Sequence, residues 1–265
     1  EFCDIKNQVT EHVFANFKKP ENYKFLDGVA RLLHKIKYQD LNLNNEGCRE
    51  LYYTSMGRKK SNQLIDHYGH IDYNLFGTVT GRLTTLPNSF PILTVQKDFR
   101  RLLKPHNDWF ISLDYNGAEA RTLLHLNGQS QPQEDIHMWN MENIFISERD
   151  RDTAKTLFFA WLYNPESNAF NAECYNREKV LDEWYRGGYI YTPYDRKILV
   201  DERKALNYLI QSSTADRVLA RAVEIDKFLE GRKSFISHIV HDEIVIDLSD
   251  EDRESLVDIK QIFEK

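Results

Sequence analysis

The sequence predicts an α+β fold, on three observations. Apolar residues recur at helical spacing in the first 65 residues, as at Phe25, Val29, Leu32, Leu33 and Ile36. Short apolar runs stand at Trp109–Leu113 and twice within "SFISHIVHDEIVIDLS" (234–249), where a polar break between two runs rich in isoleucine and valine is what a hairpin looks like. Between them, "SERDRDTAKTLFFAWLYNP" (147–165) carries helix-start and helix-stop signals on its two sides.

After the helical first segment, "GTVTGRLTTLPNSFPILT" (77–94) has the Gly, Thr, Asn and Pro content of loops and short edge strands. "WFISLDYNGAEARTLLHLNG" (109–128) then reads as a strand running out at Asp114, a turn, and a helix that stops near Asn127-Gly128. Taken alone, Asp114 reads equally as a helix cap or turn residue. In the next helix Ser147 and Asp150 have the spacing of a capping box, and Asn164-Pro165 ends the segment. Within it Arg151, Lys155, Phe159 and Tyr163 recur every four residues. Successive members turn by about 40° and rise about 6 Å, making a slanting stripe roughly 18 Å long. A core face would have to bury two cations, so the stripe suits a nucleotide better: cations for a triphosphate, rings for a sugar and a base. An amphipathic helix with incidental spacing is the plainer reading. The hairpin break holds His241, Asp242 and Glu243; acids in a solvated turn are ordinary, unless a second carboxylate and a source of positive charge lie nearby.

Composition bounds the function. A chain of 265 residues with 41% hydrophobic content can bury a substantial core. A net charge of -6 argues against coating nucleic acid by bulk attraction, although Arg58-Lys59-Lys60, Arg100-Arg101, Arg196-Lys197, Arg203-Lys204 and Arg217 with Arg221 form basic spots that read first as solvated faces. No apolar run approaches the roughly 20 residues of a membrane span, and "EFCDIKNQVTEH" is unlike a signal peptide, so an intracellular protein is expected. Cys3, Cys48 and Cys174 are widely spaced and suggest free or buried thiols, without a disulfide framework or a zinc site. Glu1 in place of Met and an ending in helical pattern suggest a piece of a longer protein or a trimmed chain.

"LDYNGAEARTLLHL" resembles motif A of the family A DNA polymerases, the bacterial DNA polymerase I family; "RDTAKTLFFAWLYN" resembles motif B, R-x-x-x-K-x-x-x-F-G-x-x-Y-G, and "VHDEIVID" motif C. "TGRL" at 80–83, "DIH" at 135–137 and "ALNYLIQSSTAD" at 205–216 keep the family order. The resemblance implies a right-hand fold with an antiparallel palm sheet, helical fingers and a reduced or absent thumb. Its segments would be a helical 1–75 (thumb remnant or replacement), palm 76–126 with motif A, fingers 127–204 with motif B, and palm 205–265 with motif C. It implies two Mg2+ ions on Asp114 and Asp242, completed by the backbone at Tyr115, with Glu243 as a supporting acid and Lys155 counted in the catalytic set. Arg151, Lys155 and His137 would hold the triphosphate, Phe159 the sugar, and Tyr163 the base pair or template, while Glu119 would exclude a 2′-hydroxyl. Arg82, Asn207, Gln211 and His241 would line primer, template and nascent pair.

The implied activity is template-directed addition of deoxynucleotides to a primer 3′-hydroxyl. Partners would be primer-template DNA, deoxynucleoside triphosphates and a further segment or accessory protein supplying thumb or processivity function, with no membrane. The setting would be the cytoplasm or nucleoid of a bacterium or virus-infected cell, or an organelle. Departures from the pattern are Ala160 and Asn164 at motif B glycines, Ala118 in place of a larger apolar residue, Ser89-Phe90-Pro91-Ile92-Leu93 for L-Q-N-I-P, and a short link from Tyr163 to "YIYTPYDRKI". Two other readings stand beside this one: a polymerase-like nucleic-acid-binding module without catalysis, and a metal-dependent nuclease, which would have no use for the stripe.

Overall fold

The structure, a computed structural model, describes residues 2–67, 69–147, 150–164, 166–167 and 172–265. The first segment is helical as expected: α1 (Phe2–Asn16), α2 (Tyr23–Lys37), α3 (Asn45–Glu50) and α4 (Ser55–His67). Val29, Leu32, Leu33 and Ile36 form the buried face of α2, whereas α1 buries no residue. Two short strands, β1 (Tyr73–Asn74) and β2 (Thr84–Thr85), pair antiparallel around the Gly- and Thr-rich loop, and α5 (Lys97–Arg100) follows.

The strand and hairpin read from the sequence form one antiparallel sheet. β3 (Trp109–Asp114) lies beside β8 (Glu243–Leu248), which pairs in turn with β7 (Phe235–Val240). The β7–β8 turn is the pair His241-Asp242, and His241 takes φ 57°, the left-handed backbone that primed hairpin turns require. Its site end is therefore set by Asp114 opposite Glu243 at one limit of the register.

Helices α6 (Ala118–Leu126), α7 (Ile136–Asn143) and α8 (Arg151–Tyr163) follow β3. The expected Ser147 capping box is corrected: Asp150 is the N-cap of α8, its Oδ2 accepting from the Thr153 N–H at 2.8 Å and the Thr153 hydroxyl at 2.7 Å. A carboxylate that reaches both groups makes Arg151 the first helical residue. Asn164 is the C-cap, while Pro165 lies outside the described residues. Beyond a 3₁₀ turn at Glu173–Tyr175 come α9 (Arg177–Trp184) and a second antiparallel sheet, β4 (Tyr185–Arg186), β5 (Tyr189–Tyr191) and β6 (Lys197–Leu199). The chain closes with α10 (Glu202–Phe228), β7, β8, a 3₁₀ turn and α11 (Leu256–Glu264).

Two apolar clusters share α10. One joins α2, the β3-β8-β7 sheet, α11 and the Phe90–Leu103 stretch to Val218, Leu219, Ala222 and Ile225 of α10. The other joins α6–α9, Ile190 and Ile198 to Ala205, Leu206, Leu209 and Ile210. Cys3 and Cys174 are free, and the side chain of Cys48 lies outside those described. Among the described residues no helix is long and apolar enough to cross a membrane.

Candidate active site

A cleft of about 500 Å³ opens where β3, the β7–β8 turn, α6, α7 and α8 meet. Of the residues expected to act together, Arg82, Asp114, Tyr115, Glu119, His137, Arg151, Lys155, Phe159, His241 and Asp242 line it. Glu243, Tyr163, Asn207 and Gln211 do not. Tyr163 reaches its rim through a hydroxyl that donates to Glu119. Asn207 and Gln211 are half-buried on α10, two turns and one turn before Ala215, which does line the cleft.

Asp114 stands at the last position of β3 and does not cap α6, whose N-cap is Gly117. Its register partner is Glu243, so Asp242 sits one residue further on, in the turn, instead of directly opposite. Glu243 is held on the sheet side, accepting from the Ser112 hydroxyl at 2.6 Å with Arg100 3.8 Å away. The Asp114 carboxyl is raised above its usual range, first by partial burial and then by the charges of Asp242 and Glu243. Tyr115 turns its side chain away, its hydroxyl donating to the Phe263 carbonyl at 2.6 Å and its ring stacked on Phe263 with centroids 4.0 Å apart.

Gly117 lets α7 close on this turn. It has φ 64°, and a Cβ there would lie 2.3 Å from Ile136 Cγ2. Asn116 Oδ1 accepts from the Ile136 N–H at 2.6 Å. Asp135 caps α7, accepting from the His137 and Met138 N–H groups. The Arg151 guanidinium holds its carboxyl well below the usual range. His137 is buried 5.8 Å from the Phe159 ring; burial lowers its pKa, an effect that Asp135 opposes.

The four-residue stripe holds in three dimensions. Ala154, Phe158, Trp161 and Leu162 bury the opposite face of α8, which turns Arg151, Lys155 and Phe159 to the cleft. The Phe159 and Tyr163 rings stack at 5.9 Å and 14°. Glu119 joins α6 to two other segments, taking Arg82 Nη2 at 2.6 Å on one oxygen and the Tyr163 hydroxyl on the other. Asn116, Gly117, Thr214 and Ala215 also line the cleft, and Asp135 ties its wall; none was singled out from the sequence. Asp135 had a signal, since it opens the "DIH" triplet just before an apolar helix, where N-caps fall.

Among the described residues no three His, Cys, Asp or Glu side chains group as a metal cage. Asp114 and Asp242, in one cleft with Arg151 and Lys155, instead fit the partial set of protein oxygens that Mg2+ takes when phosphate oxygens complete its shell. Burial is the first cause of the raised Asp114 carboxyl; the charges of Asp242 and Glu243 add to it, and a cation nearby would relieve only that electrostatic part.

No family model matches the chain. It is 27% identical to the thermostable DNA polymerase I of Thermus aquaticus, over 74% of this chain and 30% of that protein. It is 24% identical to DNA polymerase I of Synechocystis sp., over 72% of this chain and 26% of that protein. The chain thus spans less than a third of the length of these relatives. The POL domain of Pol1 from M. smegmatis, solved in complex with DNA primer-template and dNTP, shares its fold with a TM-score of 0.67 and 16% identity, over 89% of this chain and 65% of that one. The ordered motifs, these relatives and the shared fold make the chain family A polymerase-like, similar to the bacterial DNA polymerases I.

Proposed function

We propose that this chain is a template-directed DNA polymerase that adds deoxynucleotides to a primer 3′-hydroxyl. One observation carries the reading: the carboxylates Asp114 and Asp242 share a single cleft of about 500 Å³ with Arg151, Lys155 and Phe159 of the α8 stripe. In this reading 76–126 and 205–265 form the palm, 127–204 the fingers, and the helical 1–75 stands where a thumb would be. Asp114 and Asp242, with the main-chain carbonyl of Tyr115, would hold two Mg2+ ions, which when bound lower the pKa of the primer hydroxyl and neutralise phosphate charge. Glu243 steadies the turn from the sheet through Ser112.

Arg151 and Lys155 bind the triphosphate by charge-assisted hydrogen bonds, and His137 adds a further contact from an imidazole whose pKa burial lowers. Phe159 packs on the sugar. Glu119, pinned by Arg82 and Tyr163, excludes a 2′-hydroxyl. Arg82, His241, Asn207 and Gln211 line the path of primer and template. The residues thus bind, orient and exclude, which is most of what phosphoryl transfer asks of a protein.

The test is single-nucleotide extension of a primer with Mg2+, on DNA and RNA templates, following pyrophosphate release. Asp114→Ala and Asp242→Ala should each lower incorporation by on the order of a thousandfold, roughly 4 kcal/mol of transition-state stabilisation. Primer-template binding should change little. Extension by Asp242→Ala near the parent rate would remove that carboxylate from the site, and degradation of the primer without incorporation would mark a nuclease.

A further inference from the structure

Arg151 reaches the cleft already held. Its Nε donates to Asp135 Oδ1 at 3.0 Å and its Nη2 to Oδ2 at 2.6 Å, a two-pronged pair. The same Oδ1 accepts the His137 N–H at 2.9 Å and the Met138 N–H at 3.0 Å. Oδ2 also accepts from the Asn116 amide, whose own oxygen binds the Ile136 N–H. One carboxylate therefore meets three segments: the turn after Asp114, the start of α7 with His137, and the first residue of α8.

The pair occupies the Nε–Nη2 edge of the guanidinium. The remaining nitrogen, Nη1, contacts Asp152 at 3.1 Å, a side chain 84% exposed and so weakly held against competition from a ligand. An arginine at a helix start, fixed by nothing else, would spread over many rotamers, and ordering it on a ligand would cost conformational entropy. Asp135 removes that spread before any ligand arrives.

We propose that Asp135 is a positioning residue for the incoming nucleotide: it aims the Arg151 guanidinium and the His137-bearing end of α7 at the triphosphate without touching it. This rests on the polymerase reading above. Asp135 acts through Arg151, so its effect falls on nucleotide affinity.

The experiment titrates a deoxynucleoside triphosphate against the full chain bound to a primer-template whose primer ends in a dideoxynucleotide, so that binding is read without chemistry. Single-nucleotide insertion on an ordinary primer is measured alongside. Asp135→Ser keeps a cap for α7 but loses the two-pronged pair. It should weaken nucleotide binding on the order of tenfold and raise KM by a similar factor, with a much smaller change in kcat. In an Arg151→Ala background the same substitution should add no further loss. Unchanged or tighter binding by Asp135→Ser, or an additive loss in that background, overturns the positioning role alone, provided the parent binds and extends. A parent chain that neither binds the nucleotide nor extends the primer overturns the polymerase reading, and this inference with it.

Discussion

Glu119 shows what one residue does when three segments converge on it. Its two oxygens are taken by Arg82 Nη2 at 2.6 Å and by the Tyr163 hydroxyl, so the carboxylate is fixed across the cleft beside Phe159. In the proposed role, a fixed carboxylate beside the sugar would exclude an added hydroxyl by size, its oxygens being already taken by Arg82 and Tyr163, where a mobile one would swing aside. Glu119→Ala should therefore admit ribonucleotides more readily, by roughly ten- to a hundredfold in the ratio of deoxy- to ribonucleotide incorporation, while the metal requirement stays. Competition assays returning the parent's preference would end the assignment. The motif resemblance named Glu119, Arg82 and Tyr163 separately, but not that they bond, because the bonds span 37 and 44 residues of chain.

Strand β7 leads into the turn that lines the cleft and carries a structural liability. A bulge between Ile236 and His238 breaks its register with β8. His238 is buried edge-on to Phe110, its Nδ1 2.9 Å from the Ser237 hydroxyl. Burial, assisted by the Arg100 charge, lowers its pKa to about 4, from 6.5 in the unfolded chain. Between these values the unfolded state binds more protons, so stability is complete above about pH 6.5 and falls as the pH drops towards 4. The loss approaches about 3 kcal/mol. Urea unfolding followed from pH 7 to 4 should show that slope, and His238→Gln, which does not titrate in this range, should flatten it; an equal slope in both proteins would place the proton uptake elsewhere. The β4–β5 hairpin escaped the sequence reading. Gly187 and Gly188 take φ 59° and 82° between two tyrosine-bearing runs, the two-residue turn that glycine pairs favour, but strands of two and three residues are too short for periodicity to register.

The whole molecule is organised on α10, a helix about 40 Å long by its 27 residues. Leu209 belongs to one apolar cluster and Leu219 to the other, about 15 Å along the same helix. Unfolding either cluster exposes part of a helix that the other needs, so both should melt together. Tryptophan fluorescence, weighted to the α6–α9 cluster by Trp139, Trp161 and Trp184, and far-UV circular dichroism should give one urea midpoint, which Leu219→Ala lowers equally in both signals at a cost of about 2–5 kcal/mol. Two separate midpoints would show that the clusters fold independently. Element types, Asp114 at the end of a strand and the α8 stripe were legible in the sequence, because periodicity is written in near neighbours; most cleft-lining residues were named only through the resemblance of the ordered motifs. Arg196 was not legible. Read as part of a solvated basic spot, it forms a two-pronged pair with fully buried Asp216, and its guanidinium sits where a Cβ on Gly81 would be. The Asp135–Arg151 pair and the setting of Asp114 against Glu243 were equally beyond reach. Partners 16 or more residues apart are chosen by how finished elements pack, and the sequence states that packing only through all of its residues at once.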